Sequence, residues 1–190
     1  MPSRSSANLT LEPMRCLIIV VASLAAACMT PASRTTTSTS SATVPSALTP
    51  GPALGARERE VIDVVQRLFN AMRATDSAAA RALFEPGARL QTVATRQGVL
   101  TVSEDSLGMF LRAIGTPHAQ VYDERIANER VLIDGPYAVA WVDYTFYLGE
   151  QKSHCGVDAF QMVRRPSGWR IFGLTDTRRR ENCPDLPRRY

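Results

Sequence analysis

The sequence predicts an α+β domain, with about three N-terminal helices packed on one face of a curved antiparallel sheet. Three observations carry this expectation. Apolar residues at helical spacing gather between Val61 and Met72. Two shorter capped helical stretches follow before Pro117. From Ala119 onward the pattern changes to alternation broken by short turn sequences, so helices and strands segregate rather than interleave. With 190 residues, 45% of them hydrophobic and 21% charged, the chain suffices for one modest globular domain plus appendages.

The elements follow in order. Val61, Val64, Val65, Leu68, Phe69 and Met72 form one apolar stripe on a helix of about four turns. Asp76 caps a second, short helix through "SAAARALF", which "EPG" ends, and "ARLQTVA" is a strand. Ser103 is the expected cap of a third helix, with Leu107, Phe110, Leu111 and Ile114 on one face and Gly115 and Pro117 at its end. Five strands then read "AQVYDERI", "RVLID", "YAVAWVDYTFYL", "SHCGVDAFQMV" and "WRIFGLTD". The connections "DGP", "GEQK" and "RPSG" are short enough to make consecutive hairpins.

The N-terminal quarter has a different character. Residues 1–28 contain an apolar run from Leu17 to Ala27, too short to span a bilayer but suited to the core of an export signal. "LAAAC" ends on Cys28 and resembles a lipobox, which implies lipidation of Cys28 and a membrane anchor; cleavage near Ala27 to give a soluble exported protein is the alternative. Residues 29–56 are Ser, Thr, Pro and Ala with one charge, a composition that cannot bury a core and reads as a disordered tether spanning about 30 Å. The folded unit is therefore expected at 57–183, with a basic tail at 184–190 in the bacterial cell envelope. Of the formal charge of +4, Arg4, Arg15, Arg34 and Glu12 contribute +2 outside the domain, leaving +2 within domain and tail. Neither that balance nor "TDTRRRENC", which lacks interleaved aromatic residues, calls for a nucleic-acid partner.

"RALFEPGARL" after the second helix and "GWRIFGLTDT" on the last strand, in this order of elements, resemble the nuclear transport factor 2-like superfamily over residues 57–183. "YTFYLGEQKSHCGVDAFQMVRRPSGWRIFGLTDTRRRENC" resembles its bacterial branch of SnoaL-like and lumazine-binding-like proteins. The resemblance implies a cone-shaped fold whose concave sheet face lines a pocket. It implies little about function, because this fold hosts enzymes, binders and scaffolds.

Turn positions give a strand register. With "PS" as one hairpin tip, Met162 faces Ile171 and Asp158 faces Thr175; with "GEQK" as the other loop, Tyr147 faces His154 and Asp143 faces Asp158. One sheet face then carries Trp141, Asp143, Tyr147, His154, Asp158 and Phe160, and Asp176 joins it if a bulge at Gly173 shifts the last strand by one residue. These seven residues are the expected ligand site, an aromatic wall with a few polar groups. The other face, with Val142, Tyr144, Phe146, Cys155 and Val157, is apolar enough to join two copies in a homodimer.

His154 and Cys155 point apart on a strand, which argues against a thiol nucleophile and against a metal site. Cys155 and Cys183 are instead expected to form a disulfide, as suits an exported domain. Asp158, His154 and Asp143 are the catalytic candidates, as acid–base groups. The position that matches the general base of ketosteroid isomerase through "ALFEPGARLQTV" is Thr92, which cannot take a proton. The reading is thus an exported binder of a small ligand in an aromatic-lined pocket, without a cofactor. An acid–base lyase, isomerase or cyclase of the SnoaL-like type and an envelope scaffold are the alternatives.

Overall fold

The computed structural model describes residues 53–188. The export segment, the lipobox Cys28 and nearly all of the tether lie outside them. Three helices, α1 (Ala56–Arg73), α2 (Ser77–Arg81) and α3 (Leu107–Gly115), accompany six strands: β1 (Phe84–Arg96), β2 (Val99–Ser106), β3 (Tyr122–Asp134), β4 (Tyr137–Leu148), β5 (Gln151–Arg165) and β6 (Gly168–Arg178). They form one sheet in the order β2-β1-β6-β5-β4-β3. Every pair is antiparallel except β1 with β6. The expected α+β architecture is present.

The apolar stripe of α1 is buried against the sheet, with Phe69 edge-on to Phe160 at 6.2 Å between ring centroids. Asp76 caps α2 by accepting from the Ala79 amide at 2.8 Å. α2 is shorter than the sequence pattern implied, because Phe84 already belongs to β1 and "EPG" forms an irregularity within that strand. α3 is capped by Ser106, which accepts from the Met109 amide, and not by Ser103, which lies in β2 opposite Thr92. β2 itself was not foreseen as a strand; all eight of its residues are exposed. "AQVYDERI" and "RVLID" are a single strand, β3, bent where Asn128 takes a left-handed φ of 54°.

All four antiparallel hairpins turn on two residues: Gln97–Gly98, Gly135–Pro136, Gly149–Glu150 and Pro166–Ser167. At the first, φ values of 50° and 78° are those of a type I′ turn, whose twist matches the strands and whose second position favours glycine. The tight Gly149–Glu150 turn corrects the expected register. A bulge at Ser153 follows it, so Phe146 faces His154, Val142 faces Asp158 and Asp143 faces Val157. In β6 the bulge falls at Phe172, beside the anticipated Gly173, and Asp158 faces Asp176. The face with His154 and Asp158 therefore carries Val142, Tyr144 and Phe146, not Trp141, Asp143 and Tyr147.

The Cys155–Cys183 disulfide is present, with Cα atoms 5.5 Å apart. Its backbone frame is an isolated bridge in which Cys155 and Arg179 exchange two hydrogen bonds of 2.9 Å. Residues Pro184–Arg188 then run back over β4 and β3. The Thr145 hydroxyl donates to the Pro184 carbonyl, the Leu186 amide donates to the Tyr147 hydroxyl, and Arg188 pairs with Asp123 at 3.0 Å.

Candidate functional site

Helix α1 covers the part of the concave face around Phe160 and Met162. Beyond that cover the sheet and α3 enclose a cavity of about 270 Å³. Leu90 and Thr92 of β1, Leu174 and Asp176 of β6, Tyr144 of β4, Asp158 of β5 and Glu124 of β3 form its sheet side, and Phe110 and Ala113 of α3 form its roof. With Asp105 of β2 the lining draws on all six strands and one helix, and the parallel pairing of β1 with β6 brings Thr92 opposite Asp176 across a sequence separation of 84 residues.

Polar groups meet there in two sets. In the first, the Thr92 hydroxyl donates to Asp176 Oδ1 at 2.5 Å and Arg178 pairs with Asp176 Oδ2 at 3.1 Å. The Tyr144 hydroxyl lies 3.2 Å from the same Oδ2 and 3.0 Å from the Thr177 carbonyl. Burial, and then the carboxyl groups of Asp176, Glu124 and Asp158, push the Tyr144 phenol upward, so it keeps its proton and acts as a donor. In the second set, Asp158 and Glu124 hydrogen-bond to each other.

Burial is the main reason that both carboxyl groups of this pair rise. Glu124 is pushed up to about 7, and Asp158, which also suffers the charge of Glu124, well above the ordinary aspartate range. Near neutral pH the pair thus retains a proton, an acid next to a potential base. Asp158 is only 3% exposed, and its Oδ2 is buried with no hydrogen-bond partner among the described residues. His154 closes one end of the cavity, its ring 5.8 Å from that of Tyr144 and 5.0 Å from that of Phe146. Burial and then the Arg178 guanidinium lower its pKa to about 4, so the imidazole is neutral at physiological pH.

Of the residues expected to form the site, His154, Asp158 and Asp176 line the cavity. Phe160 shares their face but is wholly buried beneath α1. Trp141, Asp143 and Tyr147 lie on the opposite face, displaced by the one-residue slip. Trp141 is 44% exposed, Asp143 accepts from Asn128 Nδ2 at 2.8 Å, and Tyr147 is buried under residues 184–188 with Arg125 3.7 Å above its ring. Glu124 and Tyr144 were missed as site residues. A signal for Glu124 exists in "YDERI", where its carboxylate has the same strand parity as the core residue Ile126. Among the described residues no group of three or more His, Cys, Asp or Glu converges as a metal site.

Solved structures with the same architecture are numerous, at low sequence identity. An NTF2-like protein of unknown function from Shewanella baltica superposes with a TM-score of 0.52 at 16% identity, over 68% of this chain and 98% of the other. This is the NTF2-like fold. An NTF2-like protein with a cystatin-like fold from Novosphingobium aromaticivorans gives 0.52 at 13% identity, covering 64% of this chain and 80% of its own. A protein from the same species, assigned as the beta subunit of an aromatic-ring-hydroxylating dioxygenase, gives 0.53 at 15%, covering 64% and 88%. No protein-family profile and no curated protein matches the sequence. In this domain of NTF2-like fold the Thr92 hydroxyl donates its proton to Asp176.

Proposed function

We propose that this domain binds a small molecule with an apolar ring in the cavity between α3 and the concave sheet face, with one polar atom of the ligand against the Asp158–Glu124 pair. The observation that carries the reading is the cavity itself, walled by Leu90, Leu174 and Phe110 with the Asp158–Glu124 pair on its sheet side. The volume of about 270 Å³ lies at the small end of ligand pockets, so one ring system or two fits. Leu90, Leu174 and Phe110 would hold its apolar part, and the proton retained by the Asp158–Glu124 pair favours a carbonyl or another acceptor. A second reading, an acid–base lyase or isomerase, is favoured by one observation, the proton-sharing Glu124–Asp158 pair.

The test is native mass spectrometry of protein purified without denaturation, compared with Leu174→Trp, in which an indole occupies the cavity. The wild type should carry a small-molecule mass that unfolding releases, and the folded variant should carry none. A wild type that purifies empty, with no melting shift for a panel of small ring ketones and amides, would overturn the proposal. Once identified, the ligand should be recovered unchanged after incubation; conversion that disappears in Asp158→Asn would favour the enzymatic reading instead.

Export to the bacterial envelope is part of the same proposal. It is supported by the signal-like run that ends at Cys28 and by a disulfide of the kind that oxidising compartments sustain. Cys28→Ala should move the protein from the membrane fraction to the soluble one. Equal solubility of the two forms would mean that Cys28 carries no lipid.

A further inference from the structure

A second concavity, a groove of about 1120 Å³, adjoins the cavity, and His154 and Arg178 line both. We propose that this groove is an anion-binding vestibule, so that the ligand is a small amphiphilic acid: its ring lies in the cavity and its oxyanion, a carboxylate, sulfate or phosphate, among Arg96, Arg179 and Arg180. The inference rests on the ligand-binding reading above and adds the chemical class of the ligand.

The groove exists because two strands part. β1 and β6 pair as far as Ala94 and Arg178. Past that point β1 continues beside β2 to the Gln97–Gly98 turn, whereas the chain after β6 stays beside β5, with Arg179 opposite Cys155. Arg96 on one wall and Arg179 and Arg180 on the other therefore border one cleft. Arg178, at the junction, is already engaged by Asp176. No carboxylate pairs with Arg96, Arg179 or Arg180 among the described residues, and Glu181 is the one acidic residue in the lining.

The charge along the groove is consequently positive, while Leu90, Leu174 and Phe110 give the cavity beside it an apolar wall. Guanidinium groups bind planar and tetrahedral oxyanions through paired N–H donors, and three of them on two walls fix an oxyanion more firmly than one exposed ion pair does. His154 does not add to the charge, because burial and Arg178 keep it neutral; its ring, edged by Tyr144 and Phe146 and facing Asp176, Arg178 and Arg180, forms the threshold between the two spaces.

The probes are 4-phenylbutyrate and its neutral counterpart 4-phenylbutyramide, titrated calorimetrically into the whole domain at low and at physiological salt. The acid should bind about tenfold more tightly than the amide at low salt, with the advantage shrinking as salt rises. The double substitution Arg179→Gln, Arg180→Gln, at exposed positions, should bring the acid down to the affinity of the amide, and Leu174→Trp should abolish binding of both. Equal affinities, or an advantage of the acid that survives the double substitution, would overturn the vestibule while leaving cavity binding intact. Failure of both probes to bind would overturn the assigned ligand class, and the natively purified ligand decides the wider reading separately.

Discussion

Gly156→Ala should lower the stability of the domain by about 3 kcal/mol or more, at the upper end of what overpacking costs. A Cβ at this position would lie 1.8 Å from the Thr177 carbonyl oxygen and 2.7 Å from its carbon. The obstacle is backbone, so no side-chain rotation relieves it; β5 and β6 must separate. Gly156 faces Tyr144 across the sheet, and Tyr144 bonds the same Thr177 carbonyl. The displacement would thus reach the cavity wall between His154 and Asp158. Urea denaturation of the two proteins measures the effect, and a loss under about 0.5 kcal/mol, the range of neutral surface substitutions, would show that the strands yield freely.

Loss of the Cys155–Cys183 disulfide should have an effect of similar size. Its ends are 28 residues apart, and the chain-entropy estimate for such a loop is about 3.5 kcal/mol. More than entropy is at stake, because residues 184–188 depend on it for their course over Thr145, Tyr147 and Asp123. Burial would raise the Asp123 carboxyl, but Arg125, Arg188 and Arg73 outweigh it and hold it below its ordinary range. Release of the segment removes Arg188 from that cluster and bares Tyr147. Cys155→Ala with Cys183→Ser should therefore lower the denaturation midpoint and make Tyr147 accessible to nitration. An unchanged midpoint in the double variant, relative to the oxidised wild type, would contradict this.

The parts of the structure legible in the sequence are those fixed by local pattern. The α1 stripe has a period that only a helix satisfies, Asp76 is a cap at the right offset, and Pro166–Ser167 sets the β5–β6 hairpin so that Met162 does meet Ile171. The errors lie where a single residue changes the parity of a strand. Tyr147 and Tyr144 are both phenols near the end of β4, and the bulge at Ser153 decides which of them reaches the site. The bulge at Phe172 was close to the anticipated place, and it brings Asp176 opposite Asp158 as that shift implies. β2 escaped notice because an exposed edge strand has no buried face to impose alternation, and "SEDS" mimics a helix start. Glu124 was legible only in part, because its role depends on β3 being continuous and on a partner 34 positions away.

The parallel contact of β1 with β6 also determines when the domain can finish folding. The hairpins from β3 to β6 are local and can form as soon as each turn is made, but β1, near the start of the domain, receives its inner neighbour only from the last strand. Until β6 has left the ribosome, β1 and β2 are a two-stranded ribbon of marginal stability, and the cavity has one wall missing. Closure then brings together ends more than 80 residues apart, the kind of non-local step that slows folding and is taken late. A chain interrupted between Arg165 and Leu174 would hold all three helices and five of the six strands, yet have nothing to offer a ligand.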